Sequence, residues 1–176
     1  MRSNFQTEGR LQNKTRPVII SACLLGFCCR YDGRHSLCPD LLSFIGSYPF
    51  IPFCPEQQGG LPTPRSPAGI KEGDGHDVLA GRARLITDAG ADVTEAFIKG
   101  AREAFRLARM AKGTIAIMKE RSPSCGLETP YCETPTGKGI GVTAAIFESN
   151  DIKMVELAAN DVFPSPDFLK LIKGSV

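Results

Sequence analysis

The residues of this 176-residue chain best able to do chemistry are its seven cysteines, since histidine occurs only twice, at His35 and His76. The cysteine count is odd and Cys28 and Cys29 are adjacent, which disfavours a disulfide framework and favours metal binding or thiol chemistry. Three of the seven occupy comparable positions. Cys23 directly follows the apolar run Val18-Ile-Ile-Ser-Ala22, and Cys54 directly follows Phe50-Ile-Pro-Phe53. Cys125 lies in Ser122-Pro-Ser-Cys-Gly126, shortly after Thr114-Ile-Ala-Ile-Met118. Each run is short, continuous and apolar, as a buried strand is. Ligands of open α/β sheets bind at the carboxyl ends of the strands. Cys23, Cys54 and Cys125 are therefore expected to converge there despite their separation in sequence.

Converged thiolates bind soft metal centres. A structural zinc site draws on Cys-x-x-Cys pairs or histidines, and this chain offers neither in quantity. A four-iron cluster is normally held by four cysteines, so three would leave one iron open to a substrate. Cys28, Cys29, Cys38 and Cys132 are read as small buried hydrophobes. Glu56 would lie beside the cluster, placed to act as acid or base, and Ser122 flanks the third ligand. Arg65, at the end of Gly59-Gly-Leu-Pro-Thr-Pro-Arg65, is either presented to an anion or part of a surface turn. Gly137-Lys-Gly-Ile-Gly141 resembles a phosphate cradle but lacks a complete fingerprint, so a plain helix entry is favoured.

Around these positions, strand and helix patterns alternate. Residues 37–45 read as a short helix with Ser36 as N-cap, and Pro52 demotes 50–53 to a sheet edge. Residues 55–77, with five glycines and four prolines, read as one long loop, followed by a short strand over 82–86. The clearest helix opens at Asp92-Val-Thr-Glu95 with the pattern of a capping box and carries Phe97, Ala101, Ala104, Phe105 and Ala108 on one stripe. Lys112 and Gly113 close it, with Gly113 as the left-handed cap. A helix over 142–148, a strand over 152–155 and a helix over 167–173 follow. This order predicts an α/β fold with a parallel sheet and helices on both faces.

Composition narrows the class. The apolar fraction is 42% and the formal charge +2, from 21 basic and 19 acidic residues. That balance gives no strong nucleic-acid footprint. No apolar stretch suits a secretory signal or a membrane span. The expectation is a cytoplasmic protein, monomer or small homo-oligomer, acting on a small molecule. Residues 1–15 read as a flexible or tag-like tail, and 16–176 as a single domain.

Six segments, taken in order, resemble a known family. They are Ser21-Ala-Cys-Leu-Leu-Gly-Phe-Cys-Cys-Arg-Tyr-Asp-Gly33, Cys54-Pro-Glu56, Gly59-Gly-Leu-Pro-Thr-Pro-Arg65, Gly90-Ala-Asp-Val-Thr94, Ser122-Pro-Ser-Cys-Gly126 and Gly139-Ile-Gly-Val-Thr-Ala144. Together they resemble the DUF-type family that includes the bacterial 2-thiouracil desulfurases. The resemblance implies a Rossmann-like three-layer α/β sandwich carrying a [4Fe–4S] cluster on Cys23, Cys54 and Cys125, with one open iron. It implies hydrolytic desulfuration of a thiolated pyrimidine, with Glu56 and Ser122 as candidates for proton transfer and for orienting the base or water. This chain departs from the pattern at Gly69 and at Cys132-Glu133. Two other readings use the same residues: a non-catalytic cluster or metal module, and a thiol enzyme built on Cys28 or Cys29.

Overall fold

A computed structural model describes residues 16–173, so the tail expected at residues 1–15 lies outside the described residues. Four strands, β1 (Val18–Ser21), β2 (Phe50–Phe53), β5 (Ile115–Lys119) and β6 (Lys153–Leu157), form one wholly parallel sheet in the order β2-β1-β5-β6. Pro52, which has no N–H to donate, sits in the edge strand β2, as its chemistry requires.

Alternating side chains send each strand's apolar residues to opposite faces. On one face Val18, Ile20, Ile115, Ile117, Val155 and Leu157 pack under α1 (Pro39–Ile45) and α6 (Pro166–Lys173). On the other, Ile19, Ala116 and Met118 pack under α4 (Thr94–Ala111) and α5 (Val142–Glu148). The sheet is thus covered by helices on both sides, the three-layer α/β arrangement expected from the sequence. Among the described residues no helix is long and apolar enough to cross a membrane.

Several local expectations are corrected. Residues 55–77 are not one loop: they hold α2 (Pro55–Gln58), β3 (Ala68–Lys71) and the start of α3 (Gly75–Leu79). β3 pairs antiparallel with β4 (Arg84–Thr87) in a separate two-stranded sheet. Helix α1 is capped at Cys38, and the Ser36 hydroxyl instead accepts from the Arg30 guanidinium at 2.7 Å. Asp92 caps α4 from one position further out, accepting from Thr94 N at 2.9 Å, while Val93 occupies the cap position. Lys112 (φ 59°), rather than Gly113, takes the left-handed conformation. A Cβ at Gly113 would lie 2.7 Å from Ile19 Cδ1 and 3.0 Å from Pro17 O, so the Ile19 side chain would have to shift to admit one.

Candidate active site

The register of β1 on β2 brings Ser21 opposite Phe53, so Cys23 and Cys54 leave the sheet at the same edge. Cys23 follows β1 in a single 3-10 turn (Ala22–Leu25), and Cys54 is the N-cap of α2. Helix α2 is held hard against α4: a Cβ on Gly59 would fall 2.1 Å from Ala96 O, and one on Gly100 would fall 1.9 Å from Pro55 O. Both glycines have ordinary negative φ, so close backbone approach is what excludes a side chain there.

Cys125 is delivered by the loop after β5. Ser122 Oγ accepts from Ser124 N at 3.2 Å and from Cys125 N at 3.1 Å, closing a turn that aims the third thiol. The loop in turn caps α5. Pro123 O accepts from Val142 N at 3.0 Å, and Ser124 O from Thr143 N at 2.9 Å and Ala144 N at 3.2 Å. The α5 N-terminus is therefore occupied by protein carbonyls, and the 137–141 segment is a helix entry rather than a phosphate cradle. The buried hydroxyls of Ser124 and Thr143, 2.9 Å apart, bind loop to helix.

All three thiols line one cavity of about 1120 Å³, together with Glu56, Arg65 and Ser122. The Cys54 thiol donates to Glu56 Oε2 at 3.4 Å. Arg65 Nη2 lies 3.9 Å from the same carboxylate oxygen, and both side chains are largely buried (10% and 13% exposed). Arg65 is thus turned inward: the anion it serves is Glu56. Its Nη1 also donates to Cys29 O and Pro62 O, each at 3.2 Å, pinning the loop over the site.

Sequence reasoning missed Cys29. It is 4% exposed, packs in one cluster with Cys23, with Cys54 against them, and lines the same cavity, so a fourth thiol joins the three at the carboxyl edge of the sheet. The signal lay in the Cys-Arg-Tyr-Asp-Gly turn, but only the fold shows that the turn comes back over Cys23. Cys38 and Cys132 are packed in hydrophobic clusters, as expected, whereas Cys28 is exposed. All seven are free.

Three of these thiols, Cys29, Cys54 and Cys125, hold their protons tightly. The hydrogen bond with Cys23, together with burial, pushes Cys29 up to about 12. Cys54 is raised by its hydrogen bond with Cys29, by burial and by the Glu56 carboxylate. Burial and Glu56 raise Cys125, against a hydrogen bond from Ser21 that favours its thiolate. Such thiols make poor nucleophiles, which argues against the reading of Cys29 as a catalytic thiol. They ionise when a cationic metal centre sits among them. Among the described residues no three His, Cys, Asp or Glu side chains converge on a single-ion position. The side chains gathered here are thiols, the donors that iron–sulfur clusters take.

The fold and site define an α/β protein whose parallel sheet carries a buried, thiol-lined pocket at its carboxyl edge. The chain belongs to the 2-thiouracil desulfurase family, whose pattern it matches over residues 18–158. It is similar to the uncharacterized protein YbbK of Bacillus subtilis (strain 168), with 38% identity over 149 residues, covering 82% of this chain and 99% of YbbK. Among solved structures it is similar to the [4Fe–4S]-dependent thiouracil desulfidase TudS, with a TM-score of 0.72 and 32% identity. That match covers 92% of this chain and 99% of the other.

Proposed function

We propose that this chain is a cytoplasmic, single-domain [4Fe–4S]-dependent desulfurase that converts a thiolated pyrimidine, 2-thiouracil or a related small heterocycle, to its oxo form. Cys23, Cys54 and Cys125 would hold the cluster, and the observation that carries the reading is their meeting on one cavity with Glu56 within 3.4 Å of the Cys54 thiol. When bound, the cluster supplies a Lewis-acidic iron with affinity for soft sulfur, which polarises the C–S bond.

The remaining work falls to side chains. Water adds to the carbon that bears sulfur, and sulfide leaves; the net exchange of sulfur for oxygen needs no electron donor. In this reading Glu56 takes the proton of the attacking water, supported by its position beside the Cys54 thiol and the Arg65 guanidinium. Ser122 already accepts two amide hydrogens, so its own O–H remains available to orient the base or the water. Tyr31 and Tyr131, half-exposed aromatics lining the same cavity, offer faces on which a heterocycle can stack.

Anaerobic reconstitution should give a brown protein that releases sulfide from 2-thiouracil. A colourless product, without bound iron and sulfide, would sink the proposal. Glu56→Gln should retain the cluster and lose turnover by about 10²-fold or more. Full activity in that variant would remove Glu56 from the mechanism, whereas a protein that holds its cluster and releases no sulfide even as wild type would be a non-catalytic cluster module.

A further inference from the structure

The Cys54 thiol addresses two oxygens, Glu56 Oε2 at 3.4 Å and Cys29 O at 3.7 Å. The Arg65 guanidinium addresses the same two atoms: Nη1 donates to Cys29 O at 3.2 Å, and Nη2 lies 3.9 Å from Glu56 Oε2. One cation thus backs both acceptors of one proposed ligand.

Three segments meet at this residue. Arg65 N donates to Tyr31 O at 2.8 Å, in the loop after β1, and Nη1 also reaches Pro62 O at 3.2 Å and Thr63 Oγ1 at 3.3 Å. Thr63 Oγ1 in turn accepts from Gln57 Nε2 at 3.0 Å, next to Glu56 in α2. The guanidinium is therefore anchored by neutral acceptors at hydrogen-bond distance, while the Glu56 carboxylate stands off at 3.9 Å. Both side chains are largely buried, and a buried carboxylate that loses its counter-charge is costly.

Protonated, Cys54 supplies Glu56 with a donor. As a ligand it has none to give, because a cysteine bound to a metal centre is a thiolate. Glu56 then has a negatively charged sulfur beside it in place of a hydrogen bond, and the charge that opposes the repulsion is Arg65. We infer that Arg65 is the positioning residue that holds the Glu56 carboxylate beside the Cys54 sulfur in the cluster-bound protein. This rests on the proposed desulfurase reading and deepens it, assigning the cation that keeps the general base in place. A movement of about 1 Å brings Nη2 from 3.9 Å to the roughly 2.9 Å of a charge-assisted hydrogen bond, with the Nη1 contacts as the anchor.

The test is a double-mutant cycle between Arg65→Met and Glu56→Gln on anaerobically reconstituted protein. Sulfide release from 2-thiouracil and the rate at which a chelator strips iron are read separately. Arg65→Met should lower kcat by about 10²-fold, the usual effect of misplacing a reacting group, with KM little changed. It should also shed iron faster than wild type, because a carboxylate without counter-charge lies against a ligand sulfur. Both effects should vanish beside Glu56→Gln: the double variant turns over no more slowly than Glu56→Gln alone and sheds iron no faster. A role confined to pinning the loop predicts faster iron loss whether or not residue 56 is charged, and that outcome overturns the inference. Arg65→Met with wild-type kcat and iron loss overturns it as well. If Arg65→Met does not fold, Arg65→Lys carries the same cycle, since it keeps the charge but loses the planar fork. Its smaller loss should likewise disappear beside Glu56→Gln, and losses that add would overturn the assignment. A wild type that holds no cluster or releases no sulfide removes the desulfurase reading, and the role of Arg65 with it. If wild type is active and Glu56→Gln is not, yet the Arg65 losses add, only the role of Arg65 falls.

Discussion

Replacing Gly100 by Ala tests how the second ligand and the carboxylate are placed. Gly100 lies in mid-helix, where alanine is intrinsically favoured by about 1 kcal/mol. The added Cβ, however, would sit 1.9 Å from Pro55 O and 2.7 Å from Pro55 C. Ordinary contact begins at 3.4 Å, so α2 must withdraw from α4 by about 1.5 Å. The obstacle is backbone, flanked by Cys54 and Glu56, and cannot rotate aside as a side chain would. Overpacking of this kind costs roughly 1–3 kcal/mol, and a clash this short belongs at or beyond the upper end. Set against the helix preference, the net loss is about 2 kcal/mol, which for a chain of this length lowers the Tm by about 4–8 °C. Because the shift falls on Cys54 and Glu56, sulfide release should drop by about 10²-fold, the usual effect of misplacing reacting groups by 1 Å. Thermal melts and sulfide release are measured beside Gly46→Ala, a site with no atom within 4 Å and a φ of −56°, where no loss is expected. A Gly100→Ala protein that melts at or above wild type with full activity would refute the packing argument.

Other outcomes follow from the same contacts. Thr143→Val keeps the shape but leaves the buried Ser124 hydroxyl without its 2.9 Å partner; stability should fall by about 1–3 kcal/mol in chemical denaturation, and cluster retention with it. Cys54→Ser should lose bound iron on anaerobic reconstitution while keeping its far-ultraviolet circular dichroism, because the Cys54 side chain makes no capping hydrogen bond to α2. The hydrogen bond from Arg82, at 2.6 Å, holds Asp77 below the usual carboxylate range. Its stabilising effect is complete above the ordinary carboxylate pKa of about 4 and is lost as pH falls through the lowered value. Urea midpoints should therefore decline less steeply below about pH 4 in Asp77→Asn than in wild type, and equal slopes would contradict this.

The local pattern of the chain was enough to locate its main elements. Val18–Ser21 and Ile115–Lys119 are continuous apolar runs, and the stripe from Phe97 to Ala108 recurs at helical spacing. These are signals of a few residues that short-range geometry fixes. Because strands of an open α/β sheet end at a common edge, they also sufficed to choose Cys23, Cys54 and Cys125 as one set before any coordinates were known. What escaped the sequence depends on contacts between distant segments. Residues 68–71 become a strand because β4 and the segment around Cys132 pair with them, and no window within 55–77 contains those partners. Residue type left Arg65 open between an anion and a surface turn and favoured a plain helix entry at 137–141; the fold sets Glu56 against Arg65 and the Pro123 and Ser124 carbonyls at the α5 N-terminus. Cys29 looked like filler until the turn at Gly26 brought it into one cluster with Cys23 and Cys54. Residue type and spacing thus determined which thiols end strands. Only tertiary structure, by closing a loop over them and packing α2 onto α4 through two glycines, decided how many thiols meet and what lies beside them.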